Sequence, residues 1–99
     1  MQIVSENETL TVYLSGEIDH HNAKPLREKT DRVLFLKSPS SLILDFSGVS
    51  FMDSSGVGFV MGRYKKAASI RCRTVVQGLK PRDRKIMALS GLRDLVEFR

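Results

Sequence analysis

The sequence predicts one mixed-sheet α/β domain with the element order β-β-α-β-α-β-α-β. Three features lead to this. Thr9-Leu10-Thr11-Val12-Tyr13-Leu14 alternates in polarity with the two-residue period of a half-buried strand. Helical periodicity then returns in three separate segments. Between these segments lie short apolar or β-branched runs bounded by turn formers, as expected of strands covered by helices. With 99 residues the chain makes a single domain, 1–99, without linker, repeat or low-complexity segment.

Taken in order, Gln2-Ile3-Val4 before Ser5-Glu6-Asn7-Glu8 reads as the hairpin partner of the strand from Thr9 to Leu14. Gly16 is expected to end that strand. From Ala23 onward, Ala23, Leu26, Thr30, Val33 and Leu34 fall on one helical face, with Asn22 as N-cap and Pro25 tolerated in the first turn. The helix is expected to stop before Ser38-Pro39-Ser40. Ser41 to Phe46 reads as a buried strand, a second helix follows Ser54, and Arg73 to Val76 reads as the next strand. Pro81 and Gly91 bracket a third helix, leaving Leu95 to Phe98 as a short last strand.

Composition narrows the function classes. No apolar run reaches the roughly 20 residues needed to span a bilayer, and MQIVSENETL lacks a signal-peptide pattern, so a cytoplasmic protein is expected. Cys72 is alone, which excludes an internal disulfide and a cysteine metal cluster; it reads as a small core residue. Residues 1–62 carry 5 Lys and Arg against 8 Asp and Glu, whereas 63–99 carry 11 against 3. A basic half raises the alternative of nucleic-acid binding, but these cations are scattered, without aromatic interleaving or a recognisable reading motif. A solvated basic face accounts for them.

The segment from Leu44 to Gly58, LDFSGVSFMDSSGVG, carries the most information. On the helix that follows, Val57, Val60, Met61, Tyr64, Ala67 and Ala68 share one arc, which is expected to face the core. Ser55, Gly58, Phe59, Gly62 and Lys66 fall on the opposite side. Glycine costs about 1 kcal/mol relative to alanine inside a helix, and two of them four residues apart make a smooth strip that something could approach closely. Phe59 beside this strip is either an anchor for a partner or a core residue under a neighbouring helix. Asp53, Ser54 and Ser55 sit where the helix begins. A serine there serves as an N-cap, yet the free amides and the helix dipole also make the position tolerant of a phosphate, bringing about −1.5 to −2 charges. Spacing leaves Ser54 and Ser55 open as the modified hydroxyl.

Gly16-Glu17-Ile18-Asp19-His20-His21, together with Ser50 to Gly58 and Gly62-Arg63-Tyr64-Lys65, resembles the anti-sigma factor antagonists of the STAS fold, in particular their sporulation branch. The likeness covers nearly the whole chain in the same element order. It implies a phosphorylation-controlled binding protein with no catalytic activity and no cofactor. The unmodified form would capture an anti-sigma factor that is also a serine kinase, thereby releasing a sigma factor. Phosphorylation by that kinase would end capture, and a metal-dependent, PP2C-type phosphatase would restore it. Carried over by position, Ser54 is the implied phosphoacceptor, Ser55 its unmodified neighbour, and Asp19 a residue of kinase contact. Glu17, His20 and His21 match the motif's letters with no role beyond the loop or its rim. The partner surface is therefore expected to comprise Asp19, Asp53, Ser55, Gly58, Phe59 and Gly62 around Ser54. The chain departs from the pattern in lacking a glycine pair before the fourth strand and in ending at Arg99, where such proteins carry a further helix.

The residues argue against three other chemistries. Ser54, His20 and Asp19 are the residue types of a hydrolase triad, but adjacent Asp19 and His20 cannot readily orient one another, and no Gly-x-Ser-x-Gly elbow is present. Neighbouring His20 and His21 diverge in an extended loop, which argues against a metal site. A receiver domain phosphorylated on Asp45 or Asp53 would need an acidic pair after the first strand, where Leu14-Ser15-Gly16 stands.

Overall fold

A computed structural model describes residues 1–99. Five strands form one sheet in the order β1-β2-β3-β4-β5, and three α-helices accompany it. Strands β1 (Gln2–Glu6) and β2 (Thr9–Ile18) are antiparallel; β3 (Ser41–Met52), β4 (Arg73–Gln77) and β5 (Glu97–Phe98) follow in parallel. The hairpin turn at Asn7 and Glu8 holds both residues at positive φ, 51° and 62°, the geometry that matches the twist of a two-residue hairpin. The expected element order is thus found, with a short 3₁₀ turn at Leu92–Asp94 added before β5.

Helices α1 (Ala23–Lys37) and α2 (Ser54–Ser69) pack against each other and against the sheet. The α1 face is the one the periodicity predicts: Ala23, Thr30 and Leu34 are buried and Leu26 and Val33 half-buried. Its left-handed C-cap, Ser38 at φ 45°, returns its N–H to the Leu34 carbonyl at 2.9 Å. Helix α3 (Pro81–Leu89) starts on Pro81 and ends before Gly91, at φ 85°, as expected. Cys72 is buried immediately before β4, and burial pushes its thiol pKa up.

Three expectations need correction. Gly16 does not end β2. At φ 74° it belongs to an irregularity where the β2–β3 register shifts twice, after which pairing resumes as Glu17 with Phe51 and Ile18 with Met52. Strand β3 likewise runs past Phe46 to Met52, because Val49 and Met52 still face the core. Gly48 allows this, since a Cβ there would stand 2.8 Å from the Leu14 carbonyl oxygen. Lastly, the buried residues of α2 are Gly56, Phe59, Val60, Arg63 and Ala67, while Ala68 is exposed and Val57, Met61 and Tyr64 are half-buried. The buried arc is rotated from the predicted one because α1 lies along the flank that carries Phe59 and Arg63.

Candidate functional site

The extended ends of β2 and β3 determine the site. Because these strands remain paired to Ile18 and Met52, the loops that follow them emerge side by side, with the Asp53 N–H donating to the Ile18 carbonyl at 3.2 Å. Asp19 and Asp53, 34 positions apart in the sequence, thus come to the mouth of the same α1–α2 junction.

Each aspartate organises a helix start. Asp53 is the N-cap of α2 in extended conformation, and its Oδ1 accepts from the Ser55 N–H at 2.8 Å. Ser54 therefore lies one step inside the helix, exposed, its hydroxyl making no hydrogen bond within the chain. The Ser55 N–H, above all, holds the Asp53 carboxyl below its usual pKa, with smaller help from the Ser55 side chain and from His20, against some loss of solvation. Since the folded value lies below the unfolded one, the cap's stabilisation is complete at neutral pH and fades only as acid titrates through the folded value.

Asp19 plays the corresponding part before α1. Its Oδ1 accepts from the His21 and Asn22 N–H groups at 3.0 and 2.9 Å, and its carbonyl accepts from Ala23 at 3.0 Å. Asn22 holds the N-cap position as expected, but its side chain makes no capping bond and reaches instead towards the Glu17 carbonyl at 3.5 Å. With the Asp19 carboxylate taken up by backbone amides, no base-orienting pair with His20 exists. The His20 and His21 rings stand edge to face with centroids 5.7 Å apart.

A groove of about 530 Å³ runs between α1 and α2 from this mouth. Gly58 and Gly62 form its floor, and a Cβ built on either would meet nothing within 4 Å, so the strip is open to close approach. Phe59 contributes only an edge. It is 3% exposed and belongs to the core cluster, so the alternative of an outward-pointing anchor is corrected: the ring packs under the neighbouring helix. The Arg63 guanidinium carbon lies 5.2 Å from the Phe59 ring centroid and its Nε 2.7 Å from Asp31 Oδ1, joining α2 to α1. Burial, more than Asp31 can offset, pulls the Arg63 pKa down.

The two glycines flanking Phe59 can be told apart from Gly56 by experiment. A Cβ at Gly56 would collide with Cγ and Sδ of Met52, a residue with no exposure. Gly56→Ala is expected to cost about 1 to 3 kcal/mol through overpacking. Gly58→Ala, with open space above it, should instead gain up to about 1 kcal/mol from helix propensity. Thermal unfolding of the two variants checks this, and the reverse order of midpoints would overturn the assignment of faces.

Sequence reasoning missed three contributors. Phe51 is 44% exposed just before the Asp53 cap, with the Arg82 guanidinium carbon 5.9 Å from its ring centroid. Lys24 and Arg27 line the groove from α1. Phe51 carried no simple signal, because burial past Phe46 falls on Val49 and Met52 and does not alternate; Lys24 and Arg27 carried none because helix pairing is not written in either helix alone. A separate polar cluster joins β3 to the C-terminal end of β4. Asp45 accepts from the Ser47 N–H at 2.9 Å, the Ser47 hydroxyl and the Gln77 amide at 2.8 Å. Burial alone would raise the Asp45 pKa, but these hydrogen bonds together outweigh it and leave the carboxyl below its usual value.

A parallel-ended sheet, an aspartate-bound loop before α1 and an exposed serine beside the Asp53 cap of α2 are the features of the site. The whole chain, residues 1–99, matches the family model for the STAS domain, and the protein belongs to that family. Within it, the chain is 39% identical over 85 residues to the anti-sigma F factor antagonist of Lysinibacillus sphaericus, covering 86% of this chain and 73% of that protein. It is 30% identical over 98 residues to the anti-sigma-B factor antagonist of Listeria monocytogenes, covering 97% and 85%. Among solved structures, it is similar to the anti-sigma factor antagonist SpoIIAA in its unphosphorylated form, with TM-score 0.78, 31% identity and coverage of 99% and 86%. The phosphorylated form of SpoIIAA, described as a Bacillus cell fate determinant, superposes with TM-score 0.77 at 34% identity, covering 99% and 89%. No helix of the chain is long and apolar enough to cross a membrane.

Proposed function

We propose that this protein is an anti-sigma factor antagonist whose unphosphorylated form captures an anti-sigma factor with serine kinase activity, and that phosphate on Ser54 ends the capture. The observation that carries this reading is the placement of Ser54. It is exposed, hydrogen-bonded to nothing in the chain, and one residue inside a helix whose cap is already supplied by Asp53. A phosphate can be added there without unmaking the cap, and the positive end of the helix dipole favours it. Modification then changes the surface and leaves the fold alone. Likeness to SpoIIAA in both phosphorylation states supports the same role.

Asp19, Asp53, Ser55, Gly58 and Gly62 form the capture surface around Ser54, with Phe59 supporting it from beneath. A PP2C-type phosphatase reverses the modification, and the switch operates in the cytoplasm. The rival reading of a nucleic-acid-binding module is not favoured by relatives named for sigma-factor control.

Tandem mass spectrometry after incubation with the anti-sigma kinase of the same genome and ATP tests the reading. One added phosphate, on Ser54, is the expected result. No phosphate, with the kinase active on another antagonist, would reduce Asp53-Ser54 to a helix start and remove the proposed switch.

A further inference from the structure

We propose that the groove between α1 and α2 seats an acidic segment of the captured anti-sigma factor, with Lys24 and Arg27 as its cationic contacts. This deepens the capture reading and rests on it. Four basic or imidazole side chains, His20, Lys24, Arg27 and Arg63, line the groove, and no carboxylate does. The bias is not a by-product of the chain's basic surplus, because Lys24 and Arg27 come from residues 1–62, where acids outnumber bases 8 to 5.

These charges differ in availability. Arg63 is committed to Asp31 at 2.7 Å and buried against Phe59. Lys24 meets only Glu28 at 4.0 Å, with both side chains more than half exposed, a pair that competes weakly with a partner's carboxylate. Arg27 forms no ion pair with Asp or Glu, and it lies near enough to Arg63 to disfavour that guanidinium's charge. The groove therefore has uncompensated positive charge along one wall and, at Gly58 and Gly62, a floor that lets a backbone approach. Opposite charge across such a contact steers the encounter and fixes its register.

The test uses the full chain and the anti-sigma kinase, with capture measured by titration calorimetry at two salt concentrations. Lys24→Glu combined with Arg27→Glu is expected to weaken capture at least about tenfold and to flatten its salt dependence. The control, Arg84→Glu with Lys85→Glu, makes the same change in net charge on exposed positions of α3 and should lose less than about threefold. Lys24→Gln with Arg27→Gln serves as the second variant if charge reversal impairs folding, and a smaller loss in the same direction is expected. Unchanged capture by the groove variants, or equal losses in groove variant and control, would overturn the proposal while leaving the capture reading in place. Absence of capture by the unmodified wild-type protein would overturn the capture reading and the groove proposal together.

Discussion

Stoichiometric phosphorylation of Ser54 is expected to weaken capture of the anti-sigma factor about a thousandfold, a loss of only about 4 kcal/mol. Ser54→Asp, with one charge on a shorter arm, should weaken it at least about tenfold. Ser54→Ala should bind as tightly as the wild type and resist inactivation by kinase and ATP. The physical basis is that the dianion would join a carboxylate, Asp53, whose charged form the Ser55 N–H stabilises further. A partner surface that tolerates one negative charge at this point would have to tolerate about three, or give up its own solvation to do so. None of the three states should alter the thermal midpoint by more than about 2 °C, since the Asp53 cap survives in each and the Ser54 hydroxyl has no hydrogen bond within the chain to lose. Calorimetric titration with the kinase, alongside thermal unfolding, checks both halves. Tight binding by Ser54→Asp would sink the electrostatic account, and a large change in midpoint would show that the modification acts through the fold.

Phe59→Ala is expected to cost about 3 to 5 kcal/mol, a fall in Tm of at least about 12 °C for a domain of this size. The ring is 3% exposed, belongs to the main core cluster, and supports the Arg63 guanidinium that pairs with Asp31 of α1. Removing it opens a cavity under α1 and leaves a buried charge with poorer packing, so both effects have the same sign. With total stability of about 5 to 15 kcal/mol, a loss of that size removes about a fifth or more of it. A midpoint within about 2 °C of the wild type would place Phe59 on the surface and restore it as a partner anchor. Loss of capture in this variant would report damage to the fold, so it carries no information on direct contact; Gly58 and the groove cations are the positions that do.

The elements that the sequence predicts well are those whose cause is local. The α1 face from Ala23 to Leu34, the Pro81 start and Gly91 end of α3, and the alternation of β2 up to Leu14 depend on periodicity and on residues that set their own backbone angles. Where those local signals conflict with pairing, pairing wins. Gly16 and Ser47-Gly48 have the composition of turns, yet parallel register between β2 and β3 carries both strands onward to Ile18 and Met52. The missed extension matters for function, because it is what places Asp19 beside Asp53.

By itself, the sequence determined the class of fold, the serine at the start of α2, the aspartate before it and the smooth Gly58–Gly62 strip. Each follows from residue type and spacing along one element. The local cap geometry decided which hydroxyl is free, and tertiary structure alone decided which residue is core. Asp53, not a serine, takes the cap, and α1 covers the flank of α2 that bears Phe59 and Arg63. It also decided that Lys24 and Arg27 face the glycine strip. The spacing of apolar residues can say that a helix has two faces, but only the position of its neighbour says how far around the axis burial extends.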